Sequence, residues 1–247
     1  MTSTRSKVSL VTLIPVPRLR LLVFTGLLVV LFAPNIARAQ ETVFDVPSAD
    51  ILDKGKVYGE LDGTVRPVDP IETFTPRVVI GIGHQIEIGV NFNGLTTPVT
   101  GELDLSPTIK WRVWNVGKTG WSLYLGDDIF FPVRQRTYNS GNYSYAFFAK
   151  EWKHGTRIGV GGYDFTKNVV ALANRAGGQF TIEQKVSSRL TLAAEWYTGN
   201  NAVGYVNPGA IIKITSKLTG YVAYQIGNAG VTKGNHQFLW ELGYNFN

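Results

Sequence analysis

Residues 73–95 read TFTPRVVIGIGHQIEIGVNFNGL and contain two runs of alternating apolar and polar residues joined by a short turn. Successive side chains of a β-strand point to opposite faces, so each run has one apolar face and one polar face. The apolar positions of the two runs are Phe74, Pro76, Val78, Ile80, Ile82, Ile86, Ile88, Val90 and Phe92. The stretch therefore predicts an amphipathic β-hairpin.

The same alternation recurs to the C-terminus. With residues 40–247 divided among twelve strands, each strand and its connection has about 17 residues, which suits membrane strands of about 9 to 11 residues. Tight turns alternate with longer connections, as expected for periplasmic turns and extracellular loops. We therefore predict an all-β fold, a transmembrane antiparallel up-and-down β-barrel of about twelve strands. The predicted strands are 56–66, 74–83, 86–95, 102–114, 119–131, 142–152, 156–164, 175–185, 189–199, 204–214, 217–226 and 236–246.

The start of the chain has the features of a cleaved signal peptide. Basic residues precede an apolar run at 21–33, which is shorter than the roughly 20 residues of a membrane helix. An Ala-Arg-Ala cleavage site follows at 37–39. We predict a signal peptide at 1–39, an N-terminal periplasmic segment or plug at 40–55, and an outer-membrane barrel at 56–247.

The predicted N-terminal segment has two possible positions. It either plugs the lumen or lies outside the barrel, and the sequence leaves both open. Residues 46–52 predict a short helix in it, with Ser48 as the N-cap.

Charge and cysteine content exclude several functions. The full chain has a net charge of +6, but residues 1–39 hold five basic residues and no acidic ones, so the mature chain has +1. This balance gives no reason to expect nucleic acid as a partner. The chain has no cysteine, so disulfides and thiolate metal sites are excluded.

The last predicted strand carries the most specific motif. Its apolar face consists of Phe238, Trp240, Leu242, Tyr244 and Phe246. Here the chain resembles the Gram-negative outer-membrane β-barrel proteins, and among them the small porin-like barrels of about twelve strands. The resemblance implies that these five residues are an assembly signal for the barrel-assembly machinery. It also implies a location in the cell outer membrane, with outer-membrane lipid, lipopolysaccharide and periplasmic chaperones as partners.

A secreted soluble β-sandwich or lipocalin-like barrel is the alternative fold. Its apolar face would have to turn inward. Twelve bulky apolar faces exceed what one enclosed core can hold, whereas lipid accepts them on the outside. The membrane barrel is therefore the favoured fold.

Catalytic and metal-binding motifs are absent from the sequence. The best candidates for an outer-membrane hydrolase are His236, Asp127 and Asp128, which fall near the external rim but on predicted strands five apart around the wall. A hydrolase is therefore a distant third hypothesis. We predict no enzyme activity, no catalytic residues, no metal and no cofactor.

The lumen-facing positions carry charges of both signs. Glu60, Asp62 and Glu241 form a predicted acidic wall, while Lys110, Arg112, Lys150 and Arg157 form a predicted basic wall opposite it. One reading is a functional transverse field across the bore, and the other is a structural network of ion pairs, with Arg77 neutralising Glu60 or Asp62.

A barrel of twelve strands has a lumen of intermediate width, wider than in barrels that side chains fill and narrower than in barrels with an open aqueous channel. We therefore predict a narrow passive channel for small hydrophilic or acidic solutes, with a preference for anions set by the basic wall. The alternative is a closed structural or surface-interaction barrel without transport. The side chains predicted to narrow the conduit are Tyr124, Phe148, Tyr163, Tyr197 and Tyr221.

Overall fold

The computed structural model describes residues 41–67, 71–99, 101–170 and 173–246, so the predicted signal peptide lies outside the described residues. The described part contains thirteen strands and one short helix, α1 (Lys167–Val170). No helix in these ranges is long and apolar enough to cross a membrane. The strands are β1 (Val57–Val65), β2 (Glu72–Gly83), β3 (Ile86–Asn93), β4 (Leu95–Thr97), β5 (Leu103–Val116), β6 (Trp121–Arg134), β7 (Gly141–Glu151), β8 (Thr156–Phe165), β9 (Ala176–Lys185), β10 (Leu190–Tyr197), β11 (Tyr205–Lys213), β12 (Leu218–Gly227) and β13 (Gln237–Asn245).

The strands form one closed antiparallel sheet. β1 pairs with both β2 and β13, which joins the first long strand to the last and closes the wall. At this seam Asp62 lies opposite Glu241, and Glu60 lies opposite Arg77. The short β4 only extends the pairing at the start of β2. The wall therefore has twelve long strands, and the predicted antiparallel up-and-down barrel is confirmed.

The turn between β2 and β3 shows how the sequence closes a hairpin. His84 and Gln85 both have positive φ angles, of 53° and 64°. Two consecutive left-handed residues form a type I′ turn, whose twist matches that of the paired strands. The register of the two strands shifts between Gly81 and Gly83 just before this turn.

The connections divide the barrel into two ends. One end has short turns at 84–85, 117–120, 152–155, 186–189 and 214–217, and we call it the short-turn end. The other, the long-loop end, has longer connections at 66–71, 94–102, 135–140, 166–175, 198–204 and 228–236. Outer-membrane barrels place short turns in the periplasm and longer loops outside.

The outer face of the wall is apolar, as the alternation predicts. Side chains in the middle of the strands are exposed, for example Ile88 at 42% and Val222 at 46%. At the short-turn end the rings of Trp114 and Trp121 stack on Phe148, with centroids 6.0 and 4.9 Å away. A soluble barrel would turn this apolar face inward, whereas lipid accepts both the apolar band and the aromatic girdle.

Polar residues interrupt this face on β6 and β7. Asp127 lies on the outward parity between Leu125 and Ile129. Its carboxylate accepts hydrogen bonds from Asn142 Nδ2 at 2.9 Å and Ser144 Oγ at 2.5 Å. These bonds offset part of the cost of placing a carboxylate on this face, because they replace hydrogen bonds to water.

The inner face is polar and aromatic. The predicted inward residues Tyr124, Tyr163, Tyr197 and Tyr221 are buried there. The prediction for Phe148 is wrong, because Phe148 lies on the outer face and Phe147 takes the inward position. A shift of one residue reverses the face of a strand residue, so a single misjudged parity produces this error.

Glycines on the inner face provide space for these rings. A Cβ on Gly159 would lie 2.0 Å from the ring of Phe147, and one on Gly126 would lie 2.1 Å from the ring of Tyr145. Neither distance is possible for real atoms. The aromatic side chains therefore lie flat over glycines, which lets large rings fit into a narrow lumen.

Candidate functional site

The residues before β1 lie inside the barrel, where the sequence left their position open. Val43, Phe44, Val46 and Ser48 have no exposed surface. Thr42 pairs with Pro47 in an isolated β-bridge, so the segment doubles back on itself. We call residues 41–52 the plug.

Apolar contacts tie the plug to two parts of the wall. Val43 and Phe44 pack in one cluster with Tyr221 and Leu239, on β12 and β13. Val46 packs in a second cluster that contains tyrosines of β6, β7, β8 and β10. Tyr124 of that cluster donates a hydrogen bond to the carbonyl of Ala49 at 2.6 Å. The plug therefore spans the lumen from one side of the wall to the other.

Glu195 on β10 is the main polar anchor of the plug. Its Oε2 accepts hydrogen bonds from the backbone N–H groups of Phe44 and Val46, both at 3.0 Å. Its Oε1 accepts from the N–H of Asp45 at 2.8 Å and from Asn207 Nδ2 at 2.7 Å. Four donors on two oxygens match an ionised carboxylate, which only accepts hydrogen bonds.

Arg157 on β8 holds the other half of the plug. Its Nη1 and Nη2 lie 2.8 and 3.1 Å from the two carboxylate oxygens of Asp50. Its Nε and Nη2 lie 2.7 Å from the two oxygens of Glu183 on β9. One guanidinium thus binds two carboxylates, and its planar fork fixes the position of Asp50.

Lys110 on β5 and Glu87 on β3 form a third anchor. Their side chains are 2.8 Å apart, and both are buried. Lys110 also donates to the carbonyl of Glu41 at 3.0 Å, while Glu87 accepts from the N–H of Leu52 at 2.8 Å. The pair therefore contacts both ends of the plug.

The predicted short helix at 46–52 is wrong. The segment has no helical turn, and Ser48 Oγ accepts hydrogen bonds from the N–H of Asp50 at 3.3 Å and from Lys110 Nζ at 3.5 Å. Backbone groups of the plug bind Glu195, Tyr124 and Lys110 on the wall. The wall thus supplies the partners that a helix would otherwise provide for its own backbone.

Asp45 carries a buried carboxylate within the plug. It accepts hydrogen bonds from Asn207 Nδ2 at 2.9 Å and Gln225 Nε2 at 2.5 Å. Burial raises the pKa of Asp45 above its ordinary 3.8, and the nearby Arg77 and these two hydrogen bonds oppose the rise only in part. The buried Asp45 therefore holds a proton more readily than an exposed aspartate does.

The predicted acidic wall comes together at the seam of the barrel. Glu60, Asp62 and Glu241 are all buried, at 5%, 6% and 1% exposure. Arg77 forms an ion pair with Asp62 and lies 3.5 Å from Glu60. Tyr58 donates a hydrogen bond to Glu60.

The predicted basic wall is divided by the structure. Lys110 and Arg157 lie in the lumen and are bound to carboxylates. Arg112 lies at the short-turn end, where it donates to Gln85. Lys150 is not in the lumen, because it lies on the outward parity with its Nζ 4.8 Å from the ring centroid of Trp121. The four residues therefore do not form one basic face.

The balance of buried charge in the described wall is acidic. Six buried carboxylates, of Glu60, Asp62, Glu87, Glu183, Glu195 and Glu241, face three buried basic side chains, of Arg77, Lys110 and Arg157. The plug adds Glu41, Asp45 and Asp50. The lumen thus contains an ion-pair network in which acidic side chains outnumber basic ones.

The candidate hydrolase residues lie apart from one another. The ring of His236 packs 6.1 Å from that of Tyr224, whereas Asp127 faces outward and binds Asn142 and Ser144. Asp128 lies on the opposite parity of β6. The structure therefore does not assemble the catalytic set that the sequence offered.

The residues predicted as an assembly signal share one parity of the last strand. Phe238, Leu242, Tyr244 and Phe246 are exposed on the outer face, and Trp240 lies on the same parity. Gln237, Glu241 and Asn245 are buried on the opposite parity.

Comparisons with solved structures identify porins of the same architecture. The NanC porin matches with a TM-score of 0.57 and 11% identity, over 76% of this chain and 99% of that chain. The KdgM porin in complex with disordered oligogalacturonate matches with a TM-score of 0.55 and 7% identity, over 77% of this chain and 98% of that chain. Neither a scan of protein-family models nor a search of curated proteins finds a match.

The chain therefore has the fold of a small outer-membrane porin. This conclusion rests on the closed twelve-strand wall, the apolar outer face and the likeness to the two porins. The predicted outer-membrane location agrees with this fold.

Proposed function

We propose that the protein is a narrow outer-membrane channel for small hydrophilic solutes, and that the plug controls its opening. The observation that carries this proposal is the polar wall behind the plug. Buried Asn91, Ser106, Gln179, Asn207 and Gln225 belong to this wall. Such a surface would be solvated by water if the plug moved away, whereas an apolar interior would not.

The contacts of the plug also support a controlled opening. Several of its polar bonds join its backbone to side chains of the wall, as at Glu195 and Tyr124. Water can replace hydrogen bonds of this kind with a small net loss of free energy for each bond. Undocking would still expose Phe44 and Val46, so the docked state is the favoured one.

We assign the channel a preference for cations and neutral solutes over anions. The reason is the excess of six wall carboxylates over three basic side chains. This assignment differs from the preference for acidic solutes that the sequence suggested. The KdgM structure contains an oligogalacturonate, but at 7% identity that ligand does not transfer to this chain.

Single-channel recordings of the refolded protein test the proposal. The wild type is compared with a variant lacking residues 41–52, in a gradient of potassium chloride. We expect the deletion to conduct steadily, the wild type to open rarely, and both to show a reversal potential on the cation side. A reversal potential on the anion side would overturn the assigned selectivity.

A closed structural barrel is the second candidate. The full burial of Val43, Phe44, Val46 and Ser48 favours it, because a permanently docked plug would leave no path. If neither the wild type nor the deletion conducts above the bilayer background, the channel hypothesis fails and the closed barrel replaces it.

A further inference from the structure

Three carboxylates meet inside the seam that closes the barrel. Glu60 and Asp62 come from β1, and Glu241 comes from β13, directly opposite Asp62. Each offers an oxygen atom, and these three oxygens all lie within 4.8 Å of one another. Two oxygens that bind one Ca²⁺ at about 2.4 Å each can be at most about 4.8 Å apart, so the spacing fits a single ion.

Glu241 gives a second, independent indication of a ligand. Its side chain is 1% exposed, yet neither of its carboxylate oxygens has a hydrogen-bond partner among the described residues. The same holds for Glu60 Oε1 and Asp62 Oδ1. A buried carboxylate without any partner costs several kcal/mol, so a native structure normally provides one.

The neighbouring groups do not meet this need. Arg77 is the single basic side chain that contacts the cluster in the described structure, and it also lies 3.6 Å from Glu41. It binds Asp62 through Oδ2 and lies 3.5 Å from Glu60 Oε1, but it has no ion pair with Glu241. Tyr58 donates to Glu60 Oε2, which is a different oxygen from the unpartnered one. One guanidinium thus faces several carboxylates, and their unpartnered oxygens are suited to bind a cation.

We propose that Glu60, Asp62 and Glu241 bind a divalent metal ion, with calcium as the preferred ion. All three ligands are hard carboxylate oxygens, which suit Ca²⁺ and Mg²⁺, and the cluster includes no histidine to favour Zn²⁺. Ca²⁺ tolerates irregular geometry and accepts bidentate carboxylates, whereas Mg²⁺ requires a near-ideal octahedron and keeps several waters. A crowded site on two neighbouring strands therefore favours Ca²⁺.

The position of the site gives the ion a structural role. It would link β1 to β13, the two strands whose pairing closes the sheet. Through Arg77, which donates to Thr42 Oγ1 at 3.2 Å, the site also contacts the start of the plug. Calcium binding would therefore stabilise both the closed wall and the docked plug.

Direct calcium binding to the full-length refolded barrel tests the proposal. Isothermal titration calorimetry is performed in a nonionic detergent without lipopolysaccharide, which binds divalent cations itself. We expect one saturable Ca²⁺ site per chain and an increase in the thermal unfolding midpoint at saturating Ca²⁺. Absence of saturable binding to the wild type would overturn the proposal without the need for any variant.

Two variants locate the site. Glu241→Gln preserves the shape of the side chain and is expected to weaken calcium binding by about tenfold or more, since one of three charged ligands is lost. The control is Asp164→Asn, a change from acid to amide at an exposed residue on the outer face that is paired with Arg175 and does not contact the plug or the seam. Equal affinity in wild type and Glu241→Gln would place the bound ion elsewhere. If Glu241→Gln does not fold, Asp62→Asn provides the same comparison.

Discussion

Replacing Glu195 with glutamine is expected to release the plug. The carboxylate accepts three backbone N–H groups of the plug at 2.8 to 3.0 Å, and a fourth bond from Asn207. An amide has one acceptor oxygen, and its nitrogen is a donor. If the amide oxygen points toward the N–H groups of Phe44 and Val46, the amide nitrogen points toward the N–H of Asp45. That N–H then faces a donor and has lost its acceptor.

The size of the effect follows from these contacts. A buried donor without a partner costs about 1 to 3 kcal/mol, and the remaining bonds lose the extra strength that a charged acceptor gives. Removal of a buried charge offsets part of this loss. We expect docking to weaken by about 2 to 4 kcal/mol, which is roughly a 30- to 700-fold change in the equilibrium.

Single-channel recording measures this equilibrium as the ratio of open to closed time. The control is Asp164→Asn, also a change from acid to amide, at an exposed residue on the outer face that is paired with Arg175. We expect a large rise in open time for Glu195→Gln and none for Asp164→Asn. An unchanged open time in a correctly folded Glu195→Gln barrel would refute the assignment of Glu195 as the anchor.

Three further outcomes are expected. Val222→Arg places a charge in the middle of the lipid-facing wall and should lower the free energy of unfolding by about 2 to 4 kcal/mol in a refolding titration. The control, Val231→Arg, lies in a loop and should lower it little. Equal losses would mean that the inner and outer faces have been exchanged. Gly159→Ala should destabilise the barrel by about 1 to 3 kcal/mol in the same assay, because its Cβ overlaps the Phe147 ring, and an unchanged midpoint would contradict this packing. Docking raises the pKa of Asp45, so its protonated carboxyl stabilises the docked plug fully below pH 3.8. This stabilisation is lost as the pH rises through the pKa that Asp45 has in the docked plug. Wild-type open time should therefore increase with pH, and Asp45→Asn should reduce that dependence.

The sequence was sufficient to predict the strands that form the wall of the barrel. Alternation has a period of two residues, and it depends only on which solvent each face meets. Lipid outside and polar groups inside produce that period in every strand, so the hairpin at 73–95 and the twelve long strands could be predicted. The error at Phe148 was a misjudged parity, because β7 alternates regularly and Phe148 lies on its outward positions, where it stacks on Trp121.

The contents of the lumen could not be predicted in the same way. The plug has no periodic pattern, because side chains on β3, β5, β6, β8 and β10 determine its conformation. Glu195 and Glu183 are single acidic residues in their strands, and nothing near them in sequence marks them as anchors. Their role appears only when the barrel brings them within hydrogen-bond distance of residues 41–52.

The same limitation explains why the charge preference that we propose differs from the one that the sequence suggested. A count of wall charges along the chain treats Lys110 and Arg157 as free cations facing the bore. In the folded barrel each is bound to a carboxylate of the neighbouring strand, since Lys110 contacts Glu87 and Arg157 contacts Glu183. Paired cations contribute little net field, so in our proposal the sign of the lumen is set by the seam, where one Arg77 faces three carboxylates. The carboxylates of Glu60, Asp62 and Glu241 therefore connect the two proposals, because a calcium ion bound there would reduce the very charge that favours cations. Cation selectivity should accordingly decrease when calcium is added, and it should persist in Glu241→Gln.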